Sequence, residues 1–274
     1  MEVESQQQQE VPNSLSTSKA LKKALIILNF TMLTLGAAGT PLLLRLYFLN
    51  GGTRIWLSSW LQTAGCPLTL IPLSISYCHR RQNLYLNLNL NFRPKTRTFL
   101  ITAPLFLACT VLGLLIGLDD FLYAYGLSYL PVSTSSLLIS TQLGFTALSA
   151  FLLVKQRFSA YSINAIVLLS LGAVVLGIHS NGDRPKGEGK GQYFVGFVMT
   201  LGAAALYGLL MPLVELTYAK AKQAITYTLV MEMQLVMGFF ATVFCTVGMI
   251  VNKDFQVTIA RQLLNIDTAM HVQL

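Results

Sequence analysis

The sequence predicts an all-α membrane protein, a polytopic bundle of about seven transmembrane helices. Hydrophobic residues make up 54% of the 274 residues and charged residues only 11%, which is too little charge to cover a water-facing surface. The mean hydropathy of +0.59 agrees with this composition. Apolar stretches recur along the chain, and about 20 apolar residues are enough to cross the hydrocarbon core of a bilayer.

Seven apolar segments are long enough to span a bilayer. They are Ala24 to Leu44, Ile55 to Tyr77, Phe99 to Ser128, Val132 to Val154, Ala160 to Ile178, Tyr193 to Leu216 and Ala224 to Val251. The third segment is too long for one upright helix and contains Asp119 and Asp120. It is therefore either a strongly tilted helix or a helix that breaks near these carboxylates.

The distribution of basic residues predicts the orientation in the membrane. The net charge is +8, but the Lys and Arg residues lie mostly in short gaps between apolar segments, so a lipid bilayer and not a nucleic acid is the predicted partner. One set of alternate gaps holds twelve of the 19 basic residues and the other set holds seven. Because basic loops stay on the cytoplasmic side, the amino terminus is predicted to be cytosolic.

The sequence contains no pattern typical of an enzyme. The four cysteines fall in or at the edge of apolar segments and lack metal-ligand spacing. A nucleophile with a neighbouring base and a phosphate-binding glycine loop are also not recognisable in the sequence. We therefore expect no enzymatic activity, no metal site and no cofactor.

A short internal repeat predicts how the segments are organised. The letters TLGAA occur at Thr34 to Ala38 and again at Thr200 to Ala204. Transporters are often built from two inverted halves, and an odd number of helices in each half turns the second half upside down. The predicted units are a disordered cytosolic tail (1–23), a first five-helix repeat (24–180), the first two helices of a second repeat (193–251) and a divergent polar tail (252–274).

Three long blocks of the sequence resemble the plant purine permeases, a family within the drug/metabolite transporter superfamily. These blocks are Pro41 to Pro72, Gly117 to Phe158 and Gly191 to Phe255. The resemblance implies a ten-helix fold of two inverted five-helix repeats. It also implies transport of purine bases, cytokinins or similar heterocycles by proton symport, which we expect at the plasma membrane.

The sequence departs from the family pattern after Phe255, where the family continues through three more helices. The segment from Gln256 to Leu274 is too polar to span a bilayer. Two alternatives to a working carrier follow. The chain is a truncated, transport-inactive or regulatory protein that associates with full-length relatives, or, with less support, a seven-helix receptor.

Glutamine and tyrosine side chains are the predicted substrate contacts. Gln62, Gln142 and Gln234 fall about eight to ten residues into their segments, near the midplane at about 1.5 Å per residue. A carboxamide has one acceptor and two donor hydrogens, which matches the mixed edge of a purine. Tyr123 and Tyr125 could stack on a planar base. Hydrogen bonds between helices and interfacial packing are the alternative roles of these side chains.

Three carboxyl groups are the predicted proton-coupling groups. Glu232 is the strongest of them, because a carboxyl group in a low-dielectric medium favours its neutral form and can exchange a proton there. It lies two residues from Gln234, so the two side chains are expected to point in different directions on a helix. Asp119 and Asp120 lie nearer the outer end of their segment, where they could instead mark a helix break or cap.

Overall fold

The structure is a computed structural model that describes residues 2–78, 101–179, 189–221 and 226–254. Every regular element within these ranges is helical, which confirms the all-α prediction. The helices, in chain order, are α1 (Glu2–Leu49), α2 (Ile55–Thr63), α3 (70–78), α4 (Ala103–Tyr129), α5 (Val132–Ser140), α6 (Gln142–Leu153), α7 (Ala160–His179), α8 (Lys190–Lys220) and α9 (Tyr227–Val251). A 3₁₀ turn at Cys66–Thr69 joins α2 to α3.

Five stretches of the described helices are long and apolar enough to cross a bilayer. They are Ile26–Leu49 in α1, all of α4, the α5–α6 pair from Val132 to Leu153, α8 and α9. Helix α7 is 20 residues long, and α2 and α3 divide their segment between them. The chain is therefore a multi-pass membrane protein, and each of the seven predicted segments contains helix.

Helix α4 decides between the two alternatives for the third segment. It runs without a break from Ala103 to Tyr129, through Asp119 and Asp120. The helix begins with a proline in its first turn, where the missing N–H has no helical partner to lose. It ends before Pro131, which has no N–H to continue the ladder.

The sequence predicts one span for each segment, but the second and the fourth segments each consist of two helices. The second stops at Thr63 and resumes at 70, with Pro67 in the intervening 3₁₀ turn. Pro67 has no N–H to donate to the Thr63 carbonyl, so the α-helical hydrogen bonding is interrupted here and the chain forms a 3₁₀ turn. The fourth segment is interrupted at Thr141, which lies between the end of α5 and the start of α6.

The amino-terminal tail also differs from its prediction. Helix α1 begins at Glu2, whereas the sequence predicts disorder for residues 1–23. The tail contains Gln, Glu, Lys and Ala, which have good helix propensity and can extend the helix of the first span. In the predicted polar tail at the other end, residues 255–274 lie outside the described ranges.

Helix α4 is the centre of the bundle and packs against α2, α8 and α9. Small residues allow these close approaches. A Cβ atom at Gly126 would lie 2.1 Å from Thr200 Oγ1 on α8, and one at Gly113 would lie 2.5 Å from the Met237 carbonyl oxygen on α9. Glycine at such crossings is typical of membrane helix pairs.

The two copies of TLGAA have different surroundings. In α8, Thr200, Ala203 and Ala204 are buried, and Thr200 contacts the glycine of α4. In α1, residues 34–38 are exposed. The same five residues therefore form a helix interface in one place and an uncovered face in the other.

Arg45 fixes the end of α1 against the end of α4. Its side chain is only 6% exposed. The guanidinium atom Nη1 donates to the carbonyls of Leu127 at 3.2 Å and Ser128 at 2.7 Å. The Leu127 carbonyl lies four residues before Pro131, so it has no helical donor. Arg45 therefore caps the carboxyl-terminal end of α4, where a cation also complements the helix dipole.

Replacing Arg45 tests this cap. Hydrogen bonds to charged groups contribute about 1.5–3 kcal/mol. We therefore expect Arg45→Leu to lower the free energy of unfolding by about 2–4 kcal/mol, because two buried carbonyls lose their donor. The measurement is unfolding of the purified protein by SDS in mixed micelles. Arg157→Leu, at an exposed position, is the matched control and should change the free energy of unfolding by less than about 0.5 kcal/mol. Equal values for both variants would contradict the role of Arg45.

Candidate solute-binding cavity

A cavity of about 350 Å³ lies between α1 and α2. Leucines make up half of its wall, and four polar side chains complete it. The lining residues are Thr40, Leu43, Leu44, Tyr47, Leu57, Ser58, Leu61 and Gln62. A mostly apolar cavity of this size with a few polar groups is typical of small-molecule sites.

Gln62 is the predicted site residue that lines this cavity. It lies one residue before the end of α2, next to the interruption of the second segment. Its Nε2 atom lies 3.4 Å from the carbonyl of Ser58, one turn earlier. Among the described residues, no other hydrogen bond engages its carboxamide, so the oxygen and one N–H are available to a solute.

The α2 wall of the cavity is held against α4 and α9. Trp56 stacks on Phe121 of α4, with ring centroids 4.0 Å apart and an interplanar angle of 22°. The Trp60 indole N–H donates to Thr246 Oγ1 of α9 at 3.1 Å. Arg45 holds the α1 wall against α4, so both walls have a fixed position relative to the same helix.

A side chain of α9 stabilises the interruption between α2 and α3. Because Pro67 has no N–H, the Thr63 carbonyl loses its helical donor. The hydroxyl of Thr242 on α9 lies 3.0 Å from this carbonyl and 2.8 Å from its own Gly238 carbonyl, so its hydrogen is shared between them. Cys66 packs against Gly238, where a Cβ atom would lie 3.0 Å from the Cys66 Cβ. The residues at the interruption therefore pack against α9 and accept a hydrogen bond from it.

The other predicted substrate contacts lie elsewhere. Gln142 is half-buried at the start of α6, and Gln234 is exposed on α9. Tyr123 and Tyr125 are half-buried on α4, and the Tyr125 ring lies between Phe121 and Tyr129 at 6.0 and 5.5 Å. The structure therefore does not bring these four side chains to the cavity that Gln62 lines.

Glu232 is buried, and two donors from the described part of the chain reach its carboxyl group. The Tyr77 hydroxyl donates to Oε1 at 2.5 Å, and the backbone N–H of Ile101 donates to Oε2 at 3.0 Å. The nearby hydroxyls of Ser76 and Thr228 lie 3.1 Å apart. The carboxyl group thus joins α9 to α3 and to the start of α4. Gln234 is exposed while Glu232 is only 4% exposed, so the two side chains point in different directions as predicted.

The aspartate pair on α4 has a different environment. Asp119 is only 8% exposed, and its Oδ1 atom has no hydrogen-bond partner among the described residues. Asp120 is half-buried, and its backbone carbonyl lies 3.3 Å from the hydroxyl of Ser59 on α2. A buried carboxyl oxygen without a donor is costly, so it favours an uncharged group or an exchangeable proton at this position.

Sequence reasoning missed three polar residues of the cavity, Thr40, Tyr47 and Ser58. Ser and Thr are common in membrane helices, and Tyr47 lies close to the end of α1, where an interfacial role is the usual expectation. It also missed Arg45. The one feature of the sequence that relates to its role is Pro131, which lies far along the chain and leaves the Leu127 carbonyl without a helical donor. Among the described residues, no group of three or more His, Cys, Asp or Glu could hold a metal ion.

Comparison with known families identifies the class of protein. A family model described as purine nucleobase transmembrane transport matches residues 24–265. The chain belongs to the purine permease family. The match covers most of the chain, so the resemblance predicted from the sequence is confirmed.

Several relatives from Arabidopsis thaliana are similar to this family member. Purine permease 2 is 54% identical over 237 residues, which are 86% of this chain and 64% of the relative. Purine permease 3 is 47% identical over 234 residues, which are 85% and 65% of the two chains. Probable purine permease 4 is 41% identical over 209 residues, or 76% and 51%. The chain therefore spans less than two thirds of the length of these curated relatives.

The packing of Trp56 can be tested directly. A Cβ atom at Gly248 would lie 2.1 Å from Trp56 Cε3. We expect Gly248→Ala to displace the ring from Phe121 and to lower the free energy of unfolding by about 1–3 kcal/mol. In a Trp60→Phe background Trp56 is the one remaining tryptophan, so its fluorescence emission should shift as well. Gly202→Ala, which meets no atom within 4 Å, is the control, and the same emission in both variants would rule out this packing.

Proposed function

We propose that this chain binds a purine-like heterocycle, a nucleobase or a cytokinin-like base, in the cavity between α1 and α2, and carries it across the membrane by proton symport. The observation that supports this most is the Gln62 carboxamide in a mostly apolar cavity of about 350 Å³, because the described residues leave its oxygen and one N–H unengaged. Membership of the purine permease family supports the same class of solute.

The cavity suits a flat, apolar ring with a polar edge. Leu43, Leu57 and Leu61 offer apolar surface to the ring. The Gln62 carboxamide offers one acceptor and one free N–H to the edge, and two adjacent atoms of a purine can present the complementary pair. The Ser58 hydroxyl donates to the Arg54 carbonyl at 3.0 Å, which leaves its oxygen as an acceptor. The substrate contacts of Gln142, Gln234, Tyr123 and Tyr125 stay predictions.

Transport by alternating access requires a part of the bundle that can move. The second segment is discontinuous between Thr63 and 70, directly beside Gln62. Discontinuous helices at midmembrane sites are a recurrent feature of secondary transporters. In our proposal, α2 and α3 move relative to each other at this interruption, and the cavity changes the side of the membrane to which it opens.

Proton coupling is the second part of the proposal. Of the three predicted groups, Asp119 fits it best, because its buried Oδ1 has no donor among the described residues. Glu232 already accepts from Tyr77 and Ile101 and ties three helices together. We therefore assign the exchanged proton to Asp119, with Asp120 beside it, and assign a joining role to Glu232.

The orientation and membrane remain part of the proposal. The excess of basic residues in one set of gaps supports a cytosolic amino terminus, and uptake into cells would take place at the plasma membrane. Lipid surrounds the exposed apolar side chains of α1 and α7. Family membership favours a carrier over the seven-helix receptor.

A second candidate function is that of a binding subunit that needs another chain. The exposed TLGAA face of α1 favours it, because the same five residues in α8 form a tight helix interface. In this alternative the chain binds the base but does not carry it alone, and a full-length relative supplies the helix that covers α1.

Uptake measurements on Gln62 variants test the carrier. Yeast cells that lack adenine uptake and express the full chain should accumulate labelled adenine. We expect Gln62→Leu to raise the KM for adenine about 10- to 100-fold, because the polar edge of the base loses its partners. Gln156→Leu, at an exposed position outside the cavity, should stay within about twofold, since such surface changes are usually small.

The same assay separates the two candidate functions. If the wild-type chain reaches the membrane but adenine uptake equals that of cells with an empty vector, the carrier proposal fails for this chain. Uptake with a co-expressed full-length relative that exceeds the uptake of that relative alone would support the binding subunit.

A pH series tests the assignment of the proton. Wild-type uptake should rise as the external pH falls from 7.5 to 5.5, because a symporter uses the proton gradient. Asp119→Asn should remove this dependence, since an amide cannot exchange the proton. Glu232→Gln keeps an acceptor for the Tyr77 hydroxyl and should preserve it. The reverse result, with pH dependence lost only in Glu232→Gln, would move the coupling group to α9.

A further inference from the structure

Tyr47 is a cavity residue whose position is fixed before any solute arrives. It lies two residues before the end of α1, is half-buried and lines the cavity with Gln62. An aromatic ring offers a flat apolar surface, and the face of a base is also flat and apolar. Such a contact requires that the surrounding chain holds the ring in place.

The turn after α1 holds the ring from one side. Gly51 adopts a φ of +83°, which other residues rarely tolerate, and this conformation brings the chain back over the helix end. The backbone N–H of Gly52 donates to the Tyr47 carbonyl at 2.9 Å. A Cβ atom at Gly52 would lie 2.5 Å from both Cε1 and Cζ of Tyr47 and 2.7 Å from Cδ1. Similar distances to three ring atoms mean that Gly52 lies over the ring.

Two further contacts restrict rotation of the side chain. The Tyr47 hydroxyl accepts a hydrogen bond from the backbone N–H of Arg54 at 3.3 Å. The ring also meets Phe48 edge to face, with centroids 5.3 Å apart and planes at 64°. The backbone of α1 at this point is held by Arg45, which lies two residues before Tyr47 and caps α4. Tyr47 is therefore anchored at its backbone, at its ring and at its hydroxyl.

We propose that Tyr47 is the stacking partner of the solute in the α1–α2 cavity and selects planar aromatic rings, held in position by the Gly51–Gly52 turn. This inference rests on the proposed function. A fixed aromatic ring loses little conformational entropy on binding, so most of the stacking energy is available for affinity. Gln62 then recognises the polar edge of the ring, and Tyr47 recognises its flat face.

Binding of labelled adenine to the purified full chain in nanodiscs tests this role without requiring transport. Tyr47→Leu should weaken adenine binding about 5- to 100-fold, the range that base–aromatic stacking gives. Tyr47→Phe keeps the ring and should stay within about threefold. Gly52→Ala should weaken binding as Tyr47→Leu does, because its methyl group displaces the ring. Phe30→Leu is the matched control, since Phe30 is an exposed aromatic residue of the same helix and does not line the cavity.

The outcomes separate the two proposals. If the wild-type chain binds adenine and Tyr47→Leu binds it equally well, stacking on Tyr47 is wrong and the proposed function stands. If the wild-type chain does not bind adenine or another purine base, both fail. If Tyr47→Leu does not fold, Gly52→Ala decides, and wild-type affinity in that variant would overturn the role of the turn and the ring.

Discussion

A proline in a membrane helix leaves a carbonyl without its helical donor, and lipid cannot supply one. This chain meets that requirement twice with side chains from distant helices. Arg45 of α1 donates to the Leu127 carbonyl, which Pro131 leaves unpaired, and Thr242 of α9 lies within hydrogen-bond distance of the Thr63 carbonyl. Each contact satisfies a buried polar group and also fixes one helix against another. The two walls of the cavity depend on these contacts.

Helix α4 connects these local contacts, because α2, α8 and α9 all pack against it. Glycines on α4 allow α8 and α9 to approach closely, and Phe121 of α4 stacks on Trp56 of α2. Helix α4 carries both the carbonyls that accept from Arg45 and the buried Asp119. The α1 wall of the cavity is therefore attached to the helix that holds the two aspartates. In our proposal, movement is confined to the interruption between α2 and α3, where a short 3₁₀ turn replaces the α-helix.

The fold class and the spans could be predicted from apolar segments alone, because the bilayer fixes the length that a helix needs. The family and Gln62 were also accessible from sequence. The interruption at Pro67 was not, since prolines in other spans, such as Pro212 in α8, leave the helix continuous and only the neighbouring helix decides. Arg45 and Tyr47 escaped prediction because their roles depend on contacts across the fold, namely an orphan carbonyl far along the chain and the close approach of a turn glycine.

The carboxyl group of Glu232 contacts residues on both sides of the connection between α3 and α4. Tyr77 precedes that connection and Ile101 follows it, and both donate to the same side chain. The end of α3 and the residues just before α4 are thus both held to α9. One carboxyl group therefore sets the spacing between these two parts of the chain, although they are far apart in sequence.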